Sequence, residues 1–328
     1  MPGSNSRVTD WLLLLTCNLI WGCQFMIVKI VQREMGQFFA TVFPIGLSIL
    51  LLIPVVRKES QRRTRTALGR MPRNDLFSFV MLGLFGQVAV LLFSTWGIRL
   101  TLVSDAAVVG LSLPVTTAVM AFFVLAEKMT TLRAAGFALA IAGVLECSGI
   151  NWRQLNFSNP QFLLGNSMCF VSVLGSAFYN VYGKKLLIRY SPLRIVLYSY
   201  YGAFAVLLPI TLYLEPQSYR GLLHFSLLVW LGLLFLAVLR NVLALVILLD
   251  VLKRLDATVV ALSNYLIPFF GVLTAAIFLH ERLTKPMIVG GSLVLASTLL
   301  MTIYEGRQTR SGGAAALQPS VAGKQTSE

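Results

Sequence analysis

The chain is a succession of long apolar runs separated by short polar breaks. Ten such runs stand out, at 11–32, 37–56, 76–98, 105–126, 132–150, 162–183, 194–214, 225–249, 256–279 and 286–304. Each approaches the length of about 20 helical residues that crosses the hydrocarbon of a bilayer. None shows the strict apolar/polar alternation of a membrane barrel strand. In lipid a helix satisfies its own backbone donors and acceptors, so continuous runs of this kind predict membrane-spanning helices. Residues 1–10 form a polar N-terminus without the basic segment and small-residue cleavage site of a signal peptide, so the first run is expected to be retained. Residues 305–328, rich in Gly, Ala, Ser and Gln, read as a disordered cytoplasmic tail.

Composition sharpens this picture. Of 328 residues, 57% are hydrophobic and 12% charged, against about a quarter charged in soluble domains. The net charge of +14 would suggest nucleic acid if the basic residues shared one soluble face. Instead they lie between apolar runs, and most fall on alternate connections. The densest group, Arg57, Lys58, Arg62, Arg63, Arg65, Arg70 and Arg73, reads as a cytoplasmic loop facing anionic lipid, and no nucleic-acid partner is expected. The excess of Lys and Arg on one set of connections places both termini in the cytoplasm. Cys17, Cys23, Cys147 and Cys169 have no metal-ligand spacing and read as small apolar residues. No cofactor or metal is expected.

The two halves of the chain resemble each other. Ser-Asp-Ala-Ala-Val-Val-Gly-Leu-Ser (104–112) matches Leu-Asp-Ala-Thr-Val-Val-Ala-Leu-Ser (255–263). Ala-Glu-Lys-Met-Thr-Thr-Leu-Arg-Ala-Ala-Gly (126–136) matches His-Glu-Arg-Leu-Thr-Lys-Pro-Met-Ile-Val-Gly (280–290). Five spans per half is an odd number, so the second half enters the membrane from the opposite side. Inverted repeats of this kind place a solute site near the midplane, between halves that alternate access. The expected architecture is an all-α membrane protein of ten transmembrane helices. Its two inverted five-helix repeats occupy 11–150 and 151–304.

These residues resemble the ten-span EamA-like branch of the drug/metabolite transporter superfamily. The resemblance rests on Asn-Leu-Ile-Trp-Gly (18–22), on Glu-Lys-Met-Thr (127–130) and Glu-Arg-Leu-Thr (281–284), and on the glycines Gly136 and Gly290 that follow those junctions. It extends from about residue 11 to 304 and implies a central cavity lined mainly by spans one, three, four, six, eight and nine. The family moves amino acids, nucleotide-like metabolites and other compounds, so the resemblance specifies fold more than substrate. The chain departs from the family pattern in its long basic loop 57–75 and in Arg240 deep within span eight, which implies a narrower, anion-directed range.

Charged residues inside the spans are few. Lys29 and Glu146 lie near outer ends, where long side chains reach headgroups. Arg240 lies near mid-bilayer, which costs about 2.5–3.5 kcal/mol on insertion scales. A salt bridge could compensate it, as could carbonyls freed at Pro114 or Pro268, or an anionic substrate. Asp250, on the same helix, is about 15 Å away at 1.5 Å per residue. Ala237, Arg240, Asn241 and Ala244 share one stripe at helical spacing, and span three carries Gln87 at comparable depth. Span one aligns Asn18, Trp21, Gly22 and Phe25. Tyr179 and Asn180 in span six, with Asn264 and Tyr265 in span nine, complete the candidate substrate-binding set.

Pro114 and Pro268 are expected to bend the middles of spans four and nine. Asp105 and Asp256 are expected to N-cap those spans, and Glu127 and Glu281 to serve as structural turn residues. Gly136 and Gly143, or Gly290 and Gly291, would permit close contact in a homodimer. No Gly-rich phosphate loop supports ATP-driven pumping. The functional expectation is a secondary transporter of the inner membrane, exporting a small organic metabolite. That solute is anionic or zwitterionic, such as an amino acid or nucleotide-like compound. The alternative, a membrane-embedded enzyme acting on a lipid-linked substrate, would need clustered acids or histidines. Only His224 and His280 are present, each at the end of a span.

Overall fold

A computed structural model describes residues 4–63, 73–100, 109–110, 112–127, 130–147 and 160–278, with Val289, Ser292, Leu293, Ala296, Ser297 and Leu300 from the last apolar run. The expectations for Asp105, Glu281 and the tail, and most of those for 286–304, lie outside the described residues. Among the described residues every regular element is a helix.

The helices follow the apolar runs. They are α1 (Ser4–Val31), α2 (Gln37–Arg63), α4 (Leu113–Leu125), α5 (Thr131–Cys147), α6 (Pro160–Leu186) and α7 (Pro192–Leu214), with three composite helices between and after them. Helix α3 runs through Arg73–Met81, a π-helical stretch Leu82–Val88 and Ala89–Leu100. Helix α8 repeats that construction with Leu227–Phe235, a π-helical stretch Leu236–Ala244 and Leu245–Leu252. Helix α9 comprises Ala257–Ser263 and Leu266–Phe278. Among the described residues five segments are long and apolar enough to cross a membrane: Val8–Val28, Gln37–Gln61, Asp75–Gly97, Pro192–Leu214 and Leu227–Leu252. The protein is therefore a multi-pass membrane protein. Its exposed large apolar residues, such as Phe123, Leu212 and Leu228, belong to this lipid-facing class of surface.

Helix α3 packs against α6 and α7, α2 against α7 and α8, and α1 against α8 and α9. Close approach of α3 to α7 depends on Gly83, where a Cβ would stand 2.9 Å from Ser199 O and 3.1 Å from Gly202 Cα. Proline acts differently from the expected mid-span bend. In α4, Pro114 lies in the first turn of Leu113–Leu125. In α9 the helix divides at Asn264–Tyr265, just ahead of Pro268. A proline cannot donate to the carbonyl four residues earlier, which here is that of Asn264; Ile267 N takes it instead at 3.0 Å. The disruption therefore appears upstream of the ring.

Connections predicted to share one side of the membrane are tied together. Arg254 Nε donates to Asp10 at 2.7 Å, Ser191 Oγ to Glu59 at 2.9 Å and Tyr190 Oη to Asp75 at 2.6 Å. Burial, and then the Asp75 carboxylate, push the Tyr190 phenol up to about 12, so it remains a donor. On the other side Glu215 accepts from Phe38 N at 3.2 Å and Phe39 N at 2.8 Å, capping α2.

Helix α9 is also capped from afar. Asp256 occupies its N-cap position but makes no side-chain cap bond there. Glu127, from the α4–α5 turn, takes over by accepting from Ala257 N at 2.8 Å, Thr258 N at 3.1 Å and Thr258 Oγ1 at 2.8 Å. Lys184 Nζ completes the clasp, 2.9 Å from Glu127 and 2.8 Å from Leu255 O. The Glu127 side chain is only 7% exposed. Replacing Glu127 by Ala should destabilise the fold by about 2–4 kcal/mol, between the loss of a cap and the breaking of a buried ion pair. Thermal unfolding in detergent measures this, and a melting temperature equal to wild type would refute it.

Candidate functional site

Where α3 and α8, the two helices with π-helical stretches, meet α1, α6 and α9, the bundle forms a cavity of about 240 Å³. Helix α1 contributes Trp21 and Gln24, α3 contributes Gln87, and α6 contributes Tyr179 and Asn180. Helix α8 places Arg240 and Asn241 there, and α9 places Asn264. Every span implied to line a cavity contributes, with Leu113 from α4, and α7 adds Tyr200.

Gln87 lies in the π-helical stretch of α3, and Arg240 and Asn241 in that of α8. π-Helical stretches are rare overall and frequent at functional sites, where the widened turn re-aims side chains. Here neighbours in sequence, Gly86 with Gln87 and Arg240 with Asn241, face the same cavity. One carbonyl of the α8 stretch, that of Asn241, is taken by Tyr200 Oη at 2.9 Å.

Arg240 is held by neutral oxygens. Its Nε donates to Gln24 Oε1 at 2.7 Å and its Nη1 to Asn241 Oδ1 at 2.7 Å. Among the described residues the ion pairs involve Lys184, Arg189 and Arg254, and none involves Arg240. Neither expected structural compensation, a carboxylate or a carbonyl freed by proline, is bonded to it among those residues. Among the described residues the cavity lining thus carries one fixed positive charge and no carboxylate. A guanidinium offers five N–H donors in a planar fork, so this one retains capacity for a carboxylate. Among the described residues no group of three His, Cys, Asp or Glu side chains is placed to hold a metal ion.

Of the candidate residues, Arg240, Asn241, Gln87, Trp21, Tyr179, Asn180 and Asn264 line the cavity. Asn18 and Tyr265 do not. Asn18 turns toward α9, donating to Ser263 Oγ at 3.1 Å, and Gly22 abuts Phe270 on that helix. Tyr265 is buried in a cluster with Ala118, Phe137 and Leu266. The cavity face of α1 is therefore the Trp21–Gln24 edge. Gln24 and Tyr200 were missed. An amide amid the apolar run of span one was the signal for Gln24, whereas nothing in the sequence separates Tyr200 from the tyrosines around it.

Similarity to known proteins fits this construction. The family model of the EamA-like transporter family matches twice, over residues 10–148 and 163–303. The chain belongs to the EamA-like transporter family. A probable amino-acid metabolite efflux pump of Salmonella typhimurium is 26% identical over 309 residues, covering 92% of this chain and 97% of that protein. An S-adenosylmethionine uptake transporter of Rickettsia conorii is 24% identical, covering 86% and 88% respectively. A crystal structure aligns with a TM-score of 0.75 over 93% of this chain and 99% of its own, at 16% identity, which establishes likeness of fold. The transporter's partners accordingly include a small-molecule solute and membrane lipid, and its activity is transport, not catalysis.

Gly86 gives a direct test of the cavity's shape. A Cβ there would meet Tyr179 Cδ2 at 2.8 Å. The ring must then turn, whereas backbone would not yield. Gly86→Ala should weaken solute binding by about tenfold and lower stability by about 1–3 kcal/mol, as overpacking against a buried ring does. Unaltered binding in a ligand titration would contradict a role for that wall.

Proposed function

We propose that this transporter moves a small organic metabolite bearing a carboxylate, anionic or zwitterionic, by alternating access through the central cavity. One observation carries the reading: Arg240 lies in the cavity wall, held among the described residues by Gln24 and Asn241 oxygens and by no carboxylate. Burying an unpaired cation is costly and removing its partner costs several kcal/mol, so a carboxylate solute supplies the missing counter-charge. Asn241, Gln87, Trp21, Tyr179 and Asn264 form the rest of the binding surface in this reading, with Asn18 behind them.

The proposed topology is ten spans in two inverted repeats, 11–150 and 151–304, with both termini cytoplasmic in the inner membrane. Its support is the basic-residue bias, the twofold match of the family model and the ties between connections assigned to one side. Export is the proposed direction, in line with the efflux relative; the Rickettsia relative is named for uptake, so flux measured in oriented vesicles decides. A homodimer through the glycines of α5 or the last span belongs to the same proposal and is tested by mass in detergent.

The central test is Arg240→Gln. It should abolish transport of every carboxylate substrate and lower binding by about a hundredfold or more, as expected when a charge-assisted bond of about 3 kcal/mol is lost. Correct membrane insertion is checked by unchanged elution and helicity. A variant that still binds and moves carboxylates at wild-type affinity would return Arg240 to a structural role.

A further inference from the structure

Two amides of the cavity have orientations fixed by what they touch. Arg240 Nε can only donate, so the atom 2.7 Å from it is the Gln24 oxygen. The same logic turns the Asn241 oxygen toward Arg240 Nη1, at 2.7 Å. Asn241 Nδ2 is then a buried donor with no protein partner among the described residues, on a side chain of the cavity lining. The backbone of Asn241 is steadied in turn, since Tyr200 Oη donates to its carbonyl at 2.9 Å.

A guanidinium grips a carboxylate in two ways, side-on through Nε and one terminal nitrogen or end-on through both terminal nitrogens. Here the side-on edge is spent, because Nε is committed to Gln24. Among the described residues the hydrogens left over belong to Nη1 and Nη2. The guanidinium is thus pinned at two points, one on α1 and one on α8. Those helices are joined elsewhere without Gln24. Cys17 Sγ donates to Ala244 O at 3.2 Å, and a Cβ at Gly232 would stand 2.6 Å from Val31 Cγ2. The Gln24–Arg240 bond is therefore not what keeps α1 on α8, and its consequence lies in where the charge points.

We propose that Gln24 is the positioning residue of the anion site. By taking Arg240 Nε it presents the terminal nitrogens to the cavity, and the solute carboxylate is received end-on with Asn241 Nδ2 as a further donor. Gln24 acts through Arg240 and adds no charge of its own. A neutral acceptor is what this position requires. A carboxylate in its place would pair with the guanidinium and cancel the attraction for the solute. An apolar side chain would free Nε and let the planar fork swing, which removes the pre-organisation that makes Arg a selective partner for carboxylates. This assignment rests on the reading that Arg240 receives a carboxylate.

Two variants of similar size separate these effects: Gln24→Met removes the acceptor, and Gln24→Glu keeps it and adds a charge. Thermal-shift titrations of the purified protein compare hydrocinnamate with hydrocinnamamide and isocaproate with isocaproamide, each pair differing in the charge of its end group. In wild type at least one carboxylate should bind more than about tenfold tighter than its amide, and Arg240→Gln should erase that preference. Gln24→Met should cut the preference by about tenfold, the effect of one hydrogen bond to a charged group. Gln24→Glu should abolish it while melting no lower than wild type, and both variants should retain amide binding. Without any probe, the effect of Gln24→Met on melting temperature should shrink in an Arg240→Met background, which has no Nε to hold. A carboxylate preference that is Arg240-dependent but unchanged in Gln24→Met would overturn the positioning role and leave the carboxylate reading standing. So would a melting effect of Gln24→Met that is equal in both backgrounds, or amide binding lost in step with carboxylate binding. If wild type shows no preference for either carboxylate, both readings fall together.

Discussion

A guanidinium near the middle of a membrane bundle constrains everything around it. Arg240 keeps its charge in the wall of the central cavity, and the chain meets that demand with amide oxygens from Gln24 and Asn241. Supplying them fixes the helices that bear them. Helix α1 must stay against α8, and it does so through Cys17 at Ala244 and through the cluster of Val31, Phe39, Leu233 and Leu236. The π-helical stretch of α8 lets Arg240 and its neighbour Asn241 face the cavity together. Charge, helix irregularity and packing of α1 on α8 are thus one arrangement.

The ends of the bundle are governed by a second device, found on both faces. Glu127, in the first half of the chain, caps a helix of the second half, and Glu215, in the second half, caps α2 in the first. In each case a carboxylate from one half satisfies backbone N–H groups at a helix start in the other, where the macrodipole favours negative charge. Such bonds are strong while made and directional, so relative motion of the halves cannot stretch them gradually. They must break or persist. A protein that exposes its cavity to alternate sides needs closures of this on-or-off kind at both ends.

How much of this was legible from the chain depends on how local its cause is. Length and apolarity placed the described helices, and the few polar residues deep in apolar runs gave Arg240, Asn241, Gln87, Trp21, Tyr179 and Asn264, which meet at one cavity. Regular helical spacing then misled. The stripe through Asn18, Trp21, Gly22 and Phe25 overlooked Gln24, because the cavity sees the edge of α1 that carries Trp21 and Gln24 while Asn18 and Gly22 serve the contact with α9. Capping misled for the same reason. Asp256 has the right residue type in the right place, yet Glu127 satisfies the helix start from more than a hundred residues away, which no local motif reveals. Tyr200 reaches the Asn241 carbonyl only because α7 packs beside α8.

The two π-helical stretches carry the last step. They occur in the third helix of each half, so the backbone device is repeated while the side chains it presents are not: Gln87 stands in one and Arg240 with Asn241 in the other. A repeat that only preserved mechanics would tolerate neutral residues in both. Among the described lining residues the one cation, Arg240, stands on α8, while neutral amides come from α1, α3, α6, α8 and α9, so the charge of the cavity is lopsided although its polar groups are not. A solute with one anionic end is then oriented by the field before it makes any specific contact. Under the proposed transport reading, the backbone device common to both halves supplies the scaffold and the charge carried by one of them supplies the selectivity.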